Sequence, residues 1–112
     1  MKVIIAAQIK VSADKRENAL SAAAKVIEKI IMQTGCVRYD WAADCSDPEL
    51  ITVFEEWEDQ SALDQHFAGP NFAKMNALLG EVGVLGAAAK KYAVEREASV
   101  FGADGSPSSS FE

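Results

Sequence analysis

Residues 36–57 read Cys36-Val37-Arg38-Tyr39-Asp40-Trp41-Ala42-Ala43, then Asp44-Cys45-Ser46-Asp47-Pro48-Glu49, then Leu50-Ile51-Thr52-Val53-Phe54-Glu55-Glu56-Trp57. In both outer runs the side-chain character repeats every second residue, the period of a pleated strand. Val37, Tyr39 and Trp41 share one face of the first run, with Arg38 and Asp40 on the other. Ile51, Val53, Glu55 and Trp57 share one face of the second, with Leu50, Thr52, Phe54 and Glu56 on its reverse. The Ser46-Asp47-Pro48 cluster carries turn chemistry, so the segment is expected to form a β-hairpin. Both strands carry apolar residues on parts of both faces, whereas a sheet with one solvated face alternates cleanly.

Toward the N-terminus, Lys2 to Val11 alternates in the same way, with Val3, Ile5, Ala7, Ile9 and Val11 on one face. Between this strand and the hairpin the period changes. Leu20, Ala23, Ala24, Ile27, Ile30 and Ile31 recur at three- and four-residue spacing, which predicts an amphipathic helix ending near Gly35. Asp14, with Glu17 three residues on, reads as its N-cap and capping box. Beyond the hairpin, Asp59 is placed to cap a short helix through Phe67. After Gly69-Pro70 a second helical piece puts Phe72, Met75, Leu78 and Leu79 on one side before Gly80. A final strand is expected over about Val84 to Val100, with Tyr92 and Val94 alternating against Lys91 and Ala93.

The predicted order is βαββαβ, the ferredoxin-like arrangement of the α+β class, with an antiparallel sheet carrying helices on one face. The other face would expose Ile, Val and aromatic side chains in a monomer, so a homodimer is expected. Residues 1–101 are expected to form the domain and residues 102–112, small and polar, a flexible tail.

The chain has 112 residues, 49% hydrophobic and 25% charged, as in an ordinary single globular domain. Net charge is −6 with scattered Lys and Arg, which argues against nucleic-acid binding. The longest apolar runs, Val3 to Ala7 and Val82 to Ala89, fall short of the roughly 20 residues of a membrane span, and the N-terminal run is shorter than a signal-peptide core. A cytoplasmic location, without membrane attachment, is the expectation. Cys36 and Cys45 have neither zinc-site nor C-x-x-C spacing, and both read as reduced thiols.

Four short motifs stand in order on this frame: Gly35-Cys36-Val37-Arg38-Tyr39, Glu55-Glu56-Trp57, Leu63-Asp64-Gln65-His66, and Pro70-Asn71-Phe72. Together they resemble the landmarks of the antibiotic-biosynthesis-monooxygenase family. Ser12-Ala13-Asp14 departs from the Pro-Gly pair usual at the start of the first helix. The resemblance implies a dimeric α+β barrel and cofactor-independent oxygenation of a small aromatic, quinol or polyketide-like substrate by O2, without metal or flavin.

Triplet oxygen reacts slowly with closed-shell phenols but accepts an electron from their anions, so such chemistry needs a base and an apolar pocket. His66 is the only histidine and the candidate base. Glu55 is placed to orient its imidazole, Trp57 to stack on a flat ring, and Tyr39 or Arg38 to hold an oxyanion. Phe54, Phe67, Phe72 and Met75 are pocket wall or core, and Asn71, a turn or cap residue by position, completes the candidate substrate-binding set. A buried carboxylate needs a partner, and Arg38 across the hairpin is the expected partner of Glu55. Heme-degrading relatives use an Asn on the first strand. This strand offers Ala6, Ala7 and Gln8 instead, which argues against heme degradation. A non-catalytic barrel binding a small hydrophobic molecule accounts equally well for the aromatic residues.

Overall fold

A computed structural model of the chain describes all 112 residues. The elements are β1 (Lys2–Val11), α1 (Ala13–Ile30), β2 (Cys36–Ala43), β3 (Leu50–Trp57), α2 (Gln60–Ala68), α3 (Pro70–Val82) and β4 (Val84–Val94). The strands form one sheet in the order β2-β3-β1-β4, every neighbouring pair antiparallel. This is the expected ferredoxin-like α+β fold, its second helical region broken in two at Gly69-Pro70. No helix is long and apolar enough to cross a membrane. Both cysteines are free.

The alternation of the strands becomes two faces. Val3, Ile5, Ile9 and Val11 of β1 and Ile51, Val53, Glu55 and Trp57 of β3 are buried on the helix side. One core cluster joins Val3, Ile5, Tyr39 and Trp57 to Ala23 and Ile30 of α1, Ala62 and Leu63 of α2, and Met75 of α3. A second joins Ile9, Val11, Ile51 and Val53 to Ala19. Alanine at 19 and 23 lets α1 lie close to the sheet. The reverse face carries Ile4, Ala6, Phe54 and Tyr92, with ion pairs Lys2–Glu56 (3.1 Å), Lys10–Asp47 (3.5 Å) and Arg38–Asp40.

Four local expectations are corrected. Helix α1 starts at Ala13 with Ser12 at the N-cap and no side-chain cap bond, so Asp14 lies in the first turn, where a carboxylate favours the helix dipole, rather than at the cap. The ladder between β2 and β3 shifts register between Cys36 and Arg38. The extra residue turns Cys36 onto the core and leaves Val37 50% exposed, instead of on the face of Tyr39 and Trp41. Helix α3 runs through Gly80 and stops at Gly83, whose φ of +84° ends it. Finally, β4 ends at Val94, not Val100, because Val94 pairs with Lys2, the first residue of β1. Beyond Val94 no strand remains to supply ladder partners.

The segment after β4 is exposed. Phe101 and Pro107 form an isolated bridge within it, and Glu97 pairs with Lys2.

Candidate functional site

The site is assembled where the start of β2, the end of β3 and helix α2 meet. Gly35 makes that meeting possible. Its φ is +81°, and a Cβ there would lie 2.4 Å from the Ala62 Cβ, so only glycine lets the chain pass so close to α2. Its carbonyl accepts from the Glu58 N–H at 2.8 Å, tying the entrance of β2 to the exit of β3. Two residues after Trp57, the Asp59 carboxylate accepts from the Ala62 N–H at 2.8 Å, the cap expected from the sequence. Helix α2 therefore leaves β3 in a fixed direction and delivers His66 to the core.

His66 is 1% exposed. Its ring lies on that of Trp57, centroids 4.7 Å apart and planes tilted by 31°. Tyr39 meets it edge-on at 5.8 Å, Phe72 at 5.6 Å, and Phe67 lies at 5.9 Å. On the remaining side the His66 Nδ1 is 3.2 Å from Oε1 of Gln33, which also accepts from Asn71 Nδ2 at 3.0 Å. Burial lowers the proton affinity of the imidazole.

Glu55 is 8% exposed, and its Oε1 accepts from the indole N–H of Trp57 at 3.0 Å. Positions 55 and 57 share a strand face, which brings the two side chains alongside each other. Burial raises the Glu55 pKa and the Trp57 N–H opposes that rise. Burial raises the Tyr39 phenol strongly, with the nearby Glu55 charge adding to it. Arg38 is not the partner of Glu55, contrary to expectation. The register pairs Tyr39 with Glu55 and Arg38 with Glu56, so Arg38 leaves the sheet on the reverse face. There its guanidinium stands 4.8 Å above the Phe54 ring and pairs with Asp40.

The candidate residues thus divide. Tyr39, Glu55, Trp57, His66, Phe67 and Phe72 gather on the helix side, Met75 belongs to the same core, and Asn71 joins through Gln33. Arg38 and Phe54 stand apart on the reverse face. Tyr39 and Arg38, both considered for an oxyanion, point to opposite sides of the sheet.

Beside the cluster lies a cavity of about 560 Å³ under the edge of α2. Val3 and Ile5 of β1, Leu63 and Phe67 of α2, and Ala89, Lys91 and Ala93 of β4 form its walls, with Gln60, Asp64 and Lys90. Neither His66 nor Glu55 lines it. Phe67 belongs to both, touching His66 and the cavity. The sequence reading missed Gln33 and every cavity residue except Phe67. The one signal for the cavity was the small side chains of β4, where Ala93 pairs with Val3 and Ala89 with Ala7, which leaves room beside Val3 and Ile5. No three His, Cys, Asp or Glu side chains are placed to hold a metal ion.

The sequence profile of the antibiotic biosynthesis monooxygenase family matches residues 2–78, from β1 into α3. The chain belongs to that family. An uncharacterized protein of Synechocystis is 33% identical over 70 residues, covering 62% of this chain and 48% of its own. YcnE of Bacillus subtilis, a monooxygenase by provisional name, is 28% identical over 64 residues, covering 57% of this chain and 67% of its own. The match thus spans about half the length of the Synechocystis protein. A crystal structure from Deinococcus radiodurans, provisionally named an antibiotic biosynthesis monooxygenase, superposes with a TM-score of 0.81 at 20% identity. It covers 89% of this chain and 99% of its own, a likeness of fold. The matched span 2–78 holds all four motifs and the His66 cluster, whereas β4, the third wall of the cavity, follows it.

Proposed function

We propose that this chain is a homodimeric, cofactor-independent monooxygenase that takes a small aromatic, quinol or polyketide-like substrate, with O2, into the cavity beside α2. The observation that carries this reading is a largely apolar cavity, roomy enough for one or two fused rings, separated by Phe67 from a buried imidazole stacked on Trp57. Burial keeps His66 neutral near pH 7, so it has a lone pair with which to take a phenolic proton. The resulting anion, against the apolar part of the cavity wall, is electron-rich enough to pass one electron to O2. The indole of Trp57 is held in place by Glu55, which makes Glu55 a support of the site rather than the base. Phe67, 45% exposed, is the side chain that must swing aside for His66 to reach the substrate. The family and the name of YcnE support the same chemistry.

A second reading, a non-catalytic barrel that binds a hydrophobic molecule, is favoured by the absence of His66 and Glu55 from the cavity wall. Dissolved-oxygen uptake by purified, metal-free protein with a panel of quinols, anthrones and catechols separates the two. Uptake that falls by roughly 10²–10⁴ in His66→Ala supports the oxygenase. Binding of a panel member without uptake supports the second reading. Full uptake in His66→Ala would remove the base assignment.

A further inference from the structure

Gln33 lies in the turn between α1 and β2, and its backbone is held from both sides. Its N–H donates to the Ile30 carbonyl at 3.0 Å, and its carbonyl accepts from the Cys36 N–H at 3.1 Å. From this fixed point its side chain reaches the junction of α2 and α3, where Oε1 faces Asn71 Nδ2 and His66 Nδ1. An amide oxygen accepts and never donates. With one lone pair taken by Asn71, its contact with the imidazole is favourable only if Nδ1 carries the proton. The other ring nitrogen, Nε2, has no hydrogen bond to the protein. Among side-chain polar atoms only Trp41 Nε1 is both sealed and unpartnered, so Nε2 is not wholly sealed, although His66 as a whole is 1% exposed.

We propose that Gln33 is a positioning residue, which locks His66 as the Nδ1–H tautomer and thereby directs its lone pair to Nε2, away from the α2–α3 junction. Its significance for catalysis rests on the proposed role of His66 as base, but the tautomer itself does not. Free histidine favours the opposite tautomer, with the proton on Nε2, so the lock has a measurable signature. The amide is neutral, so it orients the ring without adding a negative charge that would hold a second proton. The groups facing the ring are Tyr39 and Trp57 from the sheet, and Phe67 and Phe72 from the helices. Glu55, the one carboxylate buried on that side of the sheet, is engaged by Trp57.

The test is two-bond ¹⁵N–¹H correlation NMR of the uniformly ¹⁵N-labelled chain, in which the single histidine makes both ring nitrogens unambiguous. The wild type should show a protonated Nδ1 and a bare Nε2 above neutral pH. Gln33→Leu should convert most of the population to Nε2–H. Asn71→Ala, which frees the Gln33 amide to turn over, should give a mixture. Gln33→Glu should keep Nδ1–H and move the titration of His66 to higher pH, because it sets a carboxylate against the ring. If Gln33→Leu fails to fold, the wild-type and Gln33→Glu spectra decide. A wild type with Nε2–H, or a folded Gln33→Leu that keeps Nδ1–H, overturns the proposal. No substrate is needed, so failure here is separable from failure of the oxygenase reading, which oxygen uptake tests alone.

Discussion

Glu55 and His66 are buried on the same side of the sheet, and burial moves their proton affinities in opposite directions. The folded pKa of His66 lies below its ordinary 6.5, so its contribution to stability is full above that value. As pH falls through the folded pKa it is lost, because the unfolded chain takes up a proton that the folded one refuses. The folded pKa of Glu55 lies above its ordinary 4.5, so its contribution is full below that value and is lost as pH rises through the folded pKa. The two slopes oppose each other between these values, and single variants are needed to see either. In urea unfolding at about pH 7.5 and about pH 5, His66→Gln should be less acid-sensitive than the wild type. Glu55→Gln keeps an acceptor for the Trp57 N–H and removes the buried charge, so near neutral pH it should be at least as stable as the wild type. Glu55→Ala strands that N–H and should lower stability by about 1–3 kcal/mol. Equal losses in the Gln and Ala variants would show that the charge, not the hydrogen bond, matters at this position.

Among the elements, α2 is the one whose placement decides the site, and two glycines show how placement differs from propensity. Gly35 combines a left-handed backbone with a contact that no side chain fits, so Gly35→Ala should cost roughly 2–4 kcal/mol and displace α2 from Trp57. Gly80 lies inside α3, and a methyl added there would meet nothing within 4 Å, so Gly80→Ala should stabilise the helix by about 0.5–1 kcal/mol. Chemical denaturation of the two variants checks both signs. A neutral Gly35→Ala would mean that α2 shifts freely. In the sequence both glycines read as helix stops. Gly80 is overridden because α3 continues to bury Leu79 and Val82 against the second core cluster.

For the whole molecule, the reverse face of the sheet raises the question of a partner. Ile4, Ala6, Phe54 and Tyr92 form an apolar centre, and Lys2–Glu56, Lys10–Asp47 and Arg38–Asp40 form a charged surround. Apolar centre and polar rim are the anatomy of an interface. The expected homodimer would bury more than about 2,000 Å² in total, the range of permanent interfaces. Light scattering should give a dimer mass at micromolar concentration, and Ile4→Glu should shift it toward the monomer while circular dichroism keeps the native helix content. A monomeric wild type would overturn the barrel.

Residue periodicity alone determined the βαββαβ order. Which side chains share a face of the Leu50–Trp57 strand or of the α1 helix depends only on local backbone geometry, and that is written in the spacing of neighbours. The cap at Asp59 is local in the same sense. Tertiary structure alone decided the partner of Glu55. Arg38 was the partner expected from the sequence, and the register set beyond the bulge at Val37 sent it to the other face, leaving the Trp57 N–H to meet Glu55. It also decided that His66 meets Gln33, a residue 33 positions earlier, and that the alanines of β4 open a cavity against α2. These contacts join segments far apart in the chain, and they arise only when the sheet order brings β4 beside β1 and the helices pack across both.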